Sequence, residues 1–264
     1  QNNDSGQKRQ TRRTPTMSEK VYKQLLTAQE MIEARDYDKG LAALRSLERS
    51  SKLSSYEKTQ LYNFYAYTYF TLENYKDALR YYEKVIAEPD VQEGLVLNSL
   101  YTVSQLYFVL EDYRKAITAI NRWFKAAPEP SMNAYLVLGQ AHYQLEEYRQ
   151  ALVPLDKAYK LANDRNTKPS KNLLLLLQNI YLELEDYANM IKVLKDLIVL
   201  YPDDDHWRSL AAVYSMVKQH DKQMAVLEML YETGNLDNGR SQLNLANLYL
   251  MHEAPYKAAA LMDK

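Results

Sequence analysis

Cysteine is absent from this chain of 264 residues, which removes disulfides, thiolate nucleophiles and cysteine metal sites together. The compartment stays open, because cysteine-free proteins occur in the cytosol and in the periplasm alike. Glycine is scarce, with six residues, and neither a glycine-rich phosphate loop nor a Gly-x-Ser-x-Gly elbow is present. An excess charge of either sign is also missing. Lys and Arg number 33 against 34 Asp and Glu, so no basic field is available for nucleic acid or anionic lipid. No apolar run approaches the roughly 20 residues of a membrane-spanning helix. The longest candidate, "LLLLL" at 173–177, has polar flanks, so no membrane span is expected. The four histidines, His142, His206, His220 and His252, include no pair spaced i, i+4 as metal ligands on one helix. No metal site, cofactor or catalytic set is expected, and the carboxylate pairs Glu111/Asp112 and Glu146/Glu147 suit solvated helix starts. An enzyme is not expected.

Tyrosine is abundant instead, at 24 residues. Seven of them fall in "LYNFYAYTYFTLENYKDALRYY", residues 61–82. A phenol joins a large apolar ring to a polar tip, so it suits a half-buried position that packs on one side and meets water or a ligand on the other. These rings either form the core of a helical array or line a surface that holds a partner.

Internal repetition points to the array. Tyr-x-x-Ala occurs at Tyr75/Ala78, Tyr113/Ala116 and Tyr148/Ala151, at intervals of 38 and 35. Weaker copies at Tyr37/Gly40, Tyr187/Met190, His220/Gln223 and Pro255/Ala258 extend the series to seven units, and periods of this size mean a solenoid. Nine residues before each mark stands a small or polar residue (Ala28, Ala66, Ser104, Gly139, Gln178, Ala211, Ala246). Six before it stands a larger one (Met31, Tyr69, Tyr107, His142, Tyr181, Tyr214, Tyr249). A spacing of three puts both on one helix face. Seven and ten residues after the mark run Tyr82, Ile120, Leu155, Leu194 and Leu227, then Val85, Trp123, Ala158, Leu197 and Leu230, the buried stripe of a second helix. Each unit is thus a hairpin of two antiparallel helices, and stacking buries the faces that one hairpin leaves open. About fourteen helices in seven hairpins are expected over residues 21–264, all-α, wound as a right-handed superhelix with the first helices lining its concave face. The extra residues behind the longer intervals are expected in loops, and His142 is expected to pack in the core.

This pattern resembles the tetratricopeptide repeat, with Pro128 and Pro202 where that family often ends its second helix. A narrower resemblance rests on "RQTRRTPTMSEKVYKQL", "SSYEKTQLYNFYAYTYF", "LYTVSQLYFVLEDYRKAI" and "DHWRSLAAVY". These stretches look like the periplasmic repeat proteins that accompany TonB, ExbB and ExbD type energy-transducing systems of gammaproteobacteria. That resemblance implies a periplasmic accessory of transport across the outer membrane, with a component of such a complex as partner. The alternative is a cytoplasmic adaptor or peptide-sensing regulator. Chaperone-binding members of the wider family clamp a carboxylate with Lys, Arg and Asn, and the basic half of that set is missing from the equivalent faces here.

The ends differ from the middle. Residues 1–16, "QNNDSGQKRQTRRTPT", lack any large apolar residue and carry Lys8, Arg9, Arg12 and Arg13, so a flexible basic tail is expected before a solenoid at 17–264. A first residue of Gln1 is read as a leader removed by signal cleavage or by design. The pattern in "PYKAAALMDK" breaks off about ten residues into a helix, so the last repeat is expected to be truncated.

Helical spacing also sorts the tyrosines. Tyr62, Tyr65, Ala66 and Tyr69 share the motif face and are expected in the core, whereas Gln60, Asn63, Tyr67 and Phe70 share another face. The same face in later units reads Asn98, Tyr101, Gln105 and Phe108, then Asn133, Leu136, Gln140 and Tyr143, then Asn172, Leu175, Asn179 and Leu182. Amides and rings alternate there, with little charge until Asp205, Arg208 and Arg240. An amide both donates and accepts, so it can pair with the backbone of an extended peptide whatever its side chains. The amides of this face, with Tyr67, Phe70, Tyr101, Phe108 and Tyr143, are the candidate groove for a protein or peptide segment. The bland alternative is that the amides are solvated or bridge neighbouring helices.

Overall fold

The computed structural model describes residues 16–50, 52–129, 131–236 and 238–262. The basic residues Lys8–Arg13 lie outside these. Among the described residues there are fourteen α-helices and no strand, and they divide in sequence between Pro128 and Glu129 into two compact units. The first holds α1 (Glu19–Glu33), α2 (Tyr37–Ser50), α3 (Ser55–Thr71), α4 (Tyr75–Ala87), α5 (Glu93–Val109) and α6 (Tyr113–Ala126). The second holds α7 (Met132–Gln144), α8 (Tyr148–Asp164), α9 (Lys171–Glu183), α10 (Tyr187–Leu200), α11 (Asp204–Met216), α12 (His220–Glu232), α13 (Asn238–Met251) and α14 (Pro255–Met262). Within each unit every helix packs on the next. All seven mark residues are the first residues of the even-numbered helices. No helix among the described residues is long and apolar enough to cross a membrane.

One turn is repeated in all seven hairpins. In each, the residue two before the mark (Arg35, Glu73, Glu111, Glu146, Glu185, Lys218, Glu253) is left-handed, with φ of 55–62°. Its amide bonds back three residues and the next amide bonds back five, as in Glu73 N to Phe70 O at 3.0 Å and Asn74 N to Tyr69 O at 2.9 Å. This is the Schellman termination. The residue that closes it also opens the following helix: the side chains of Asn74, Asp112 and Asp186 accept from the backbone amides of Asp77, Lys115 and Asn189. Two residues therefore end one helix and cap the next.

That turn brings the small and large motif positions against the second helix. Ala28, Ala66 and Ser104 are fully buried, and at Gly139 the approach is closest, since a β-carbon there would lie 2.4 Å from Cγ and Cδ2 of Leu155. In the second-helix stripe, Val85, Ile120, Leu155, Ala158, Leu194, Leu197, Leu227 and Leu230 are buried, whereas Tyr82 and Trp123 are half-buried. Of the rings expected in the core, Tyr65 is fully buried and stacks on Tyr81 at 4.4 Å, while Tyr62 and Tyr69 are half-buried around it at 6.1 and 5.6 Å from Tyr81. Lys84 Nζ lies over the Tyr62 and Tyr81 rings. His142 is half-buried, and its Nδ1 pairs with Glu147 Oε2 across the turn at 2.7 Å.

The extra residues of the long intervals correct one expectation. They largely extend helices instead of filling loops: α3, α5 and α8 have 17 residues, against 13 in α7, α9 and α11. Four residues are close to one 3.6-residue turn, so the added length returns the buried face to register. In α3 the added turn begins with a capping box at Ser54 and Glu57. The Glu57 carboxylate, 6% exposed, also accepts from Ser18 N at 2.9 Å and Ser18 Oγ at 2.8 Å, which ties the start of α1 to the start of α3. Burial acts to raise its pKa, but the hydrogen bonds from Ser54 and Ser18 outweigh it and hold the group below the ordinary 4.5.

These contacts can be tested by substitution. Gly139→Ala should gain about 1 kcal/mol in helix propensity yet lose about 1–3 kcal/mol to overpacking, giving a net fall in urea midpoint; Gly94→Ala, where the added β-carbon meets nothing within 4 Å, should not fall. Glu111→Gly should raise stability by about 0.5–1 kcal/mol by relieving the left-handed backbone, read as a higher melting temperature. Because the folded pKa of Glu57 is depressed, its contribution is complete above pH 4.5 and is lost as pH falls through the folded value. Acid melts of Glu57→Gln should therefore fall less steeply below that pH than those of the parent chain.

Candidate peptide-binding faces

Each unit carries its own set of the candidate face residues. In the first, α3 presents Gln60 and Asn63, half-buried, with Tyr67 and Phe70 exposed at 54% and 43%. On α5, Asn98 and Gln105 are exposed, and Tyr101 and Phe108 are half-buried. Both helices pack on α4. In the second unit, α7 presents Asn133, exposed, with Leu136, Gln140 and Tyr143 half-buried. Its neighbour α9, in direct contact with it, presents Asn172, Asn179 and Leu182, exposed, and Leu175, half-buried.

Among the described residues, none of the eight amides on these faces, Gln60, Asn63, Asn98, Gln105, Asn133, Gln140, Asn172 and Asn179, makes a side-chain hydrogen bond within the protein. They do not bridge neighbouring helices. Each keeps its full capacity to donate twice and accept twice.

The rings behave differently. Three last-turn aromatics of the candidate faces fold onto the mark tyrosine five residues on: Phe70 onto Tyr75 at 6.2 Å, Phe108 onto Tyr113 at 5.1 Å, and Tyr143 onto Tyr148 at 5.7 Å. The tight turn makes this possible, and sequence spacing alone does not show it. Tyr101 meets the indole edge of Trp123 at 6.5 Å, and burial pushes its phenol pKa up. Tyr101, Phe108 and Tyr143 therefore brace the hairpins as well as face outward, so alanine at these positions would remove fold contacts too. Tyr67 is the ring on these faces that projects furthest into solvent.

The acidic turn residues and the histidines do not converge on either face. Asp112 holds Lys115 at 2.7 Å, and His252 Nδ1 lies 3.4 Å from Asp221. Among the described residues no group of three or more His, Cys, Asp or Glu could hold a metal ion.

With the hairpins and their faces described, comparison with known proteins identifies the architecture. Residues 25–91 match the tetratricopeptide repeat profile, and residues 95–158 match that of subunit 3 of the anaphase-promoting complex, or cyclosome. The fold is that of tetratricopeptide-repeat proteins. Among solved structures, a tetratricopeptide repeat protein from Parabacteroides merdae is similar at 17% identity and a TM-score of 0.55, over 93% of this chain and 92% of that one. The apo form of RapI is similar at 11% identity and a TM-score of 0.56, over 92% and 94%. YrrB, described as a tetratricopeptide repeat protein with an unusual peptide-binding site, is similar at 15% identity and 0.52, over 76% and 91%. No curated protein sequence matches the chain.

Proposed function

We propose that this repeat chain is a non-enzymatic scaffold that holds an extended protein segment against the amide-and-aromatic faces of its odd-numbered helices. The observation that carries this reading is the set of eight amides whose hydrogen-bonding capacity the fold leaves unused. A surface that only needed solvation would be served as well by Lys and Glu, the usual residues of exposed helix faces, whereas amides without fixed charge pair with any peptide backbone. The peptide-binding site named for YrrB supports the same reading by likeness of fold.

The finer reading places the chain in the periplasm as an accessory of a TonB, ExbB and ExbD type system, with a component of that complex as the segment held. Its support is the resemblance of the four quoted stretches. The alternative, a cytoplasmic adaptor, would use the same faces, so fractionation of the natural host separates the two: recovery in the periplasmic fraction supports the first, and recovery only with cytoplasmic markers removes it.

Pull-down from a periplasmic extract, followed by calorimetry with the captured segment, tests the binding face. Tyr67→Ala should weaken binding by about 1–3 kcal/mol, as interface anchors do, with the melting temperature unchanged. Raising salt should alter affinity little, because the polar contacts are amides and not ions. Full affinity in Tyr67→Ala together with a steep salt dependence would move the site away from these faces.

A further inference from the structure

The sixth hairpin departs from the others twice, and the structure joins the two departures in one hollow. The outward positions filled by Tyr67 and Phe70, Gln105 and Phe108, Gln140 and Tyr143, or Asn179 and Leu182 in earlier hairpins hold only Ala212 and Ser215 on α11. The position three after the mark, alanine in the best-matched hairpins, is Gln223 on α12. Between α11, α12 and α13 lies a cavity of about 420 Å³ lined by Ala212, Ser215, Gln223, Arg208 and Asn244, with Leu227 among its apolar lining. It sits where the missing side chains would have stood.

Gln223 is 2% exposed. Among the described residues its carboxamide makes one hydrogen-bond contact, a long one of 3.4 Å between Oε1 and His220 Nδ1, which leaves the Nε2 group without a protein partner at the hollow. The equivalent positions in the other hairpins are Gly40, Ala78, Ala116, Ala151, Met190 and Ala258, so none of them places a polar group at this crossing. Asn244, exposed at the wall, makes no side-chain bond among the described residues either. The nearby charge is already matched: Arg208 Nη1 holds Asp205 Oδ1 at 2.7 Å, and its Nη2 donates to Asn235 O at 2.8 Å. The hollow is therefore roomy enough to admit a side chain and is furnished with two amides.

We infer that this cavity is a recognition pocket for the side-chain amide of an Asn or Gln in a bound protein segment, with Gln223 and Asn244 making the reciprocal amide bonds and Leu227 taking the methylenes. The pocket deepens the scaffold reading, since it assigns that segment one residue class, and it belongs to α11–α13 alone.

The test uses the whole chain, isotope-labelled, titrated with N-acetylglutamine methylamide and, separately, with the glutamate and leucine analogues. Saturable shifts of the Gln223 and Asn244 side-chain amide signals are expected with the glutamine probe, at least about tenfold stronger than with either analogue, as for a site built to hydrogen-bond its ligand. Gln223→Ala restores the residue usual at this crossing, so it should stay folded and lose the preference for glutamine. Ser215→Phe, which places here the ring that Phe70 and Phe108 supply in their hairpins, should fill the hollow and bind none of the three. Equal response to the leucine or glutamate analogue, no saturable shift up to the probe's solubility, or a glutamine preference that survives in Gln223→Ala would each overturn the assignment. Because these signals report α11–α13 while Tyr67→Ala reports α3, failure of the pocket and failure of the scaffold reading are separately visible.

Discussion

Everything in this fold depends on a turn of two residues. One residue takes the left-handed conformation and the next both closes the preceding helix and caps the following one, so the two helices have almost no freedom in how they meet. A longer connection would let them slide or splay. With the turn set, the residue six before the mark is also the one whose carbonyl accepts the closing bond, as Tyr69 does from Asn74. The residue nine before the mark, such as Gly139 against Leu155, is then held close to the second helix, and it is small in six of the seven hairpins. The cost is seven non-glycine residues at positive φ, a strain that the repeated packing outweighs.

Much of this is legible in the residues. The marks are real helix starts, and most of the small positions before them and of the stripe after them are buried, because helical period and side-chain volume are local properties; Tyr69, His142, Tyr82 and Trp123, expected in the core, are only half-buried. The added helical turns of α3, α5 and α8 are not, since an interval shows how many residues are inserted but not where. For α3 a signal exists: Ser54 and Glu57 have the spacing of a capping box. The left-handed Glu, Arg and Lys carry no sign, since glycine or asparagine would be expected at such sites. The aromatic pairs that brace Phe108 and Tyr143 depend on the turn's shape, and the cavity beside Gln223 is defined by side chains that are missing, which a reading of present residues overlooks.

Between neighbouring helices the tyrosines do a second job. Tyr65, Tyr159, Tyr181 and Tyr249 direct their hydroxyls to Glu48, Asp196, Asp156 and Glu228, at 3.3, 2.6, 3.4 and 3.0 Å. Burial and the nearby carboxylate push the phenols of Tyr181 and Tyr249 up to about 12, so these hydroxyls stay protonated donors across the physiological range. Such bonds link each element only to near neighbours in sequence, which makes stability close to a sum of local terms. This is the context in which a single hairpin can give up close packing for a polar hollow without loss of the others.

The indole of Trp123, in edge contact with Tyr101, has a consequence of a different kind. The chain has two tryptophans, Trp123 in the first compact unit and Trp207 packed against the core of the second. Each unit thus carries its own intrinsic fluorophore, and the first stands beside a candidate contact ring. Emission from either indole, isolated by replacing the other with phenylalanine, would let the melting of each half be followed without labels, and quenching at Trp123 would register the arrival of a segment on the first half as it happens.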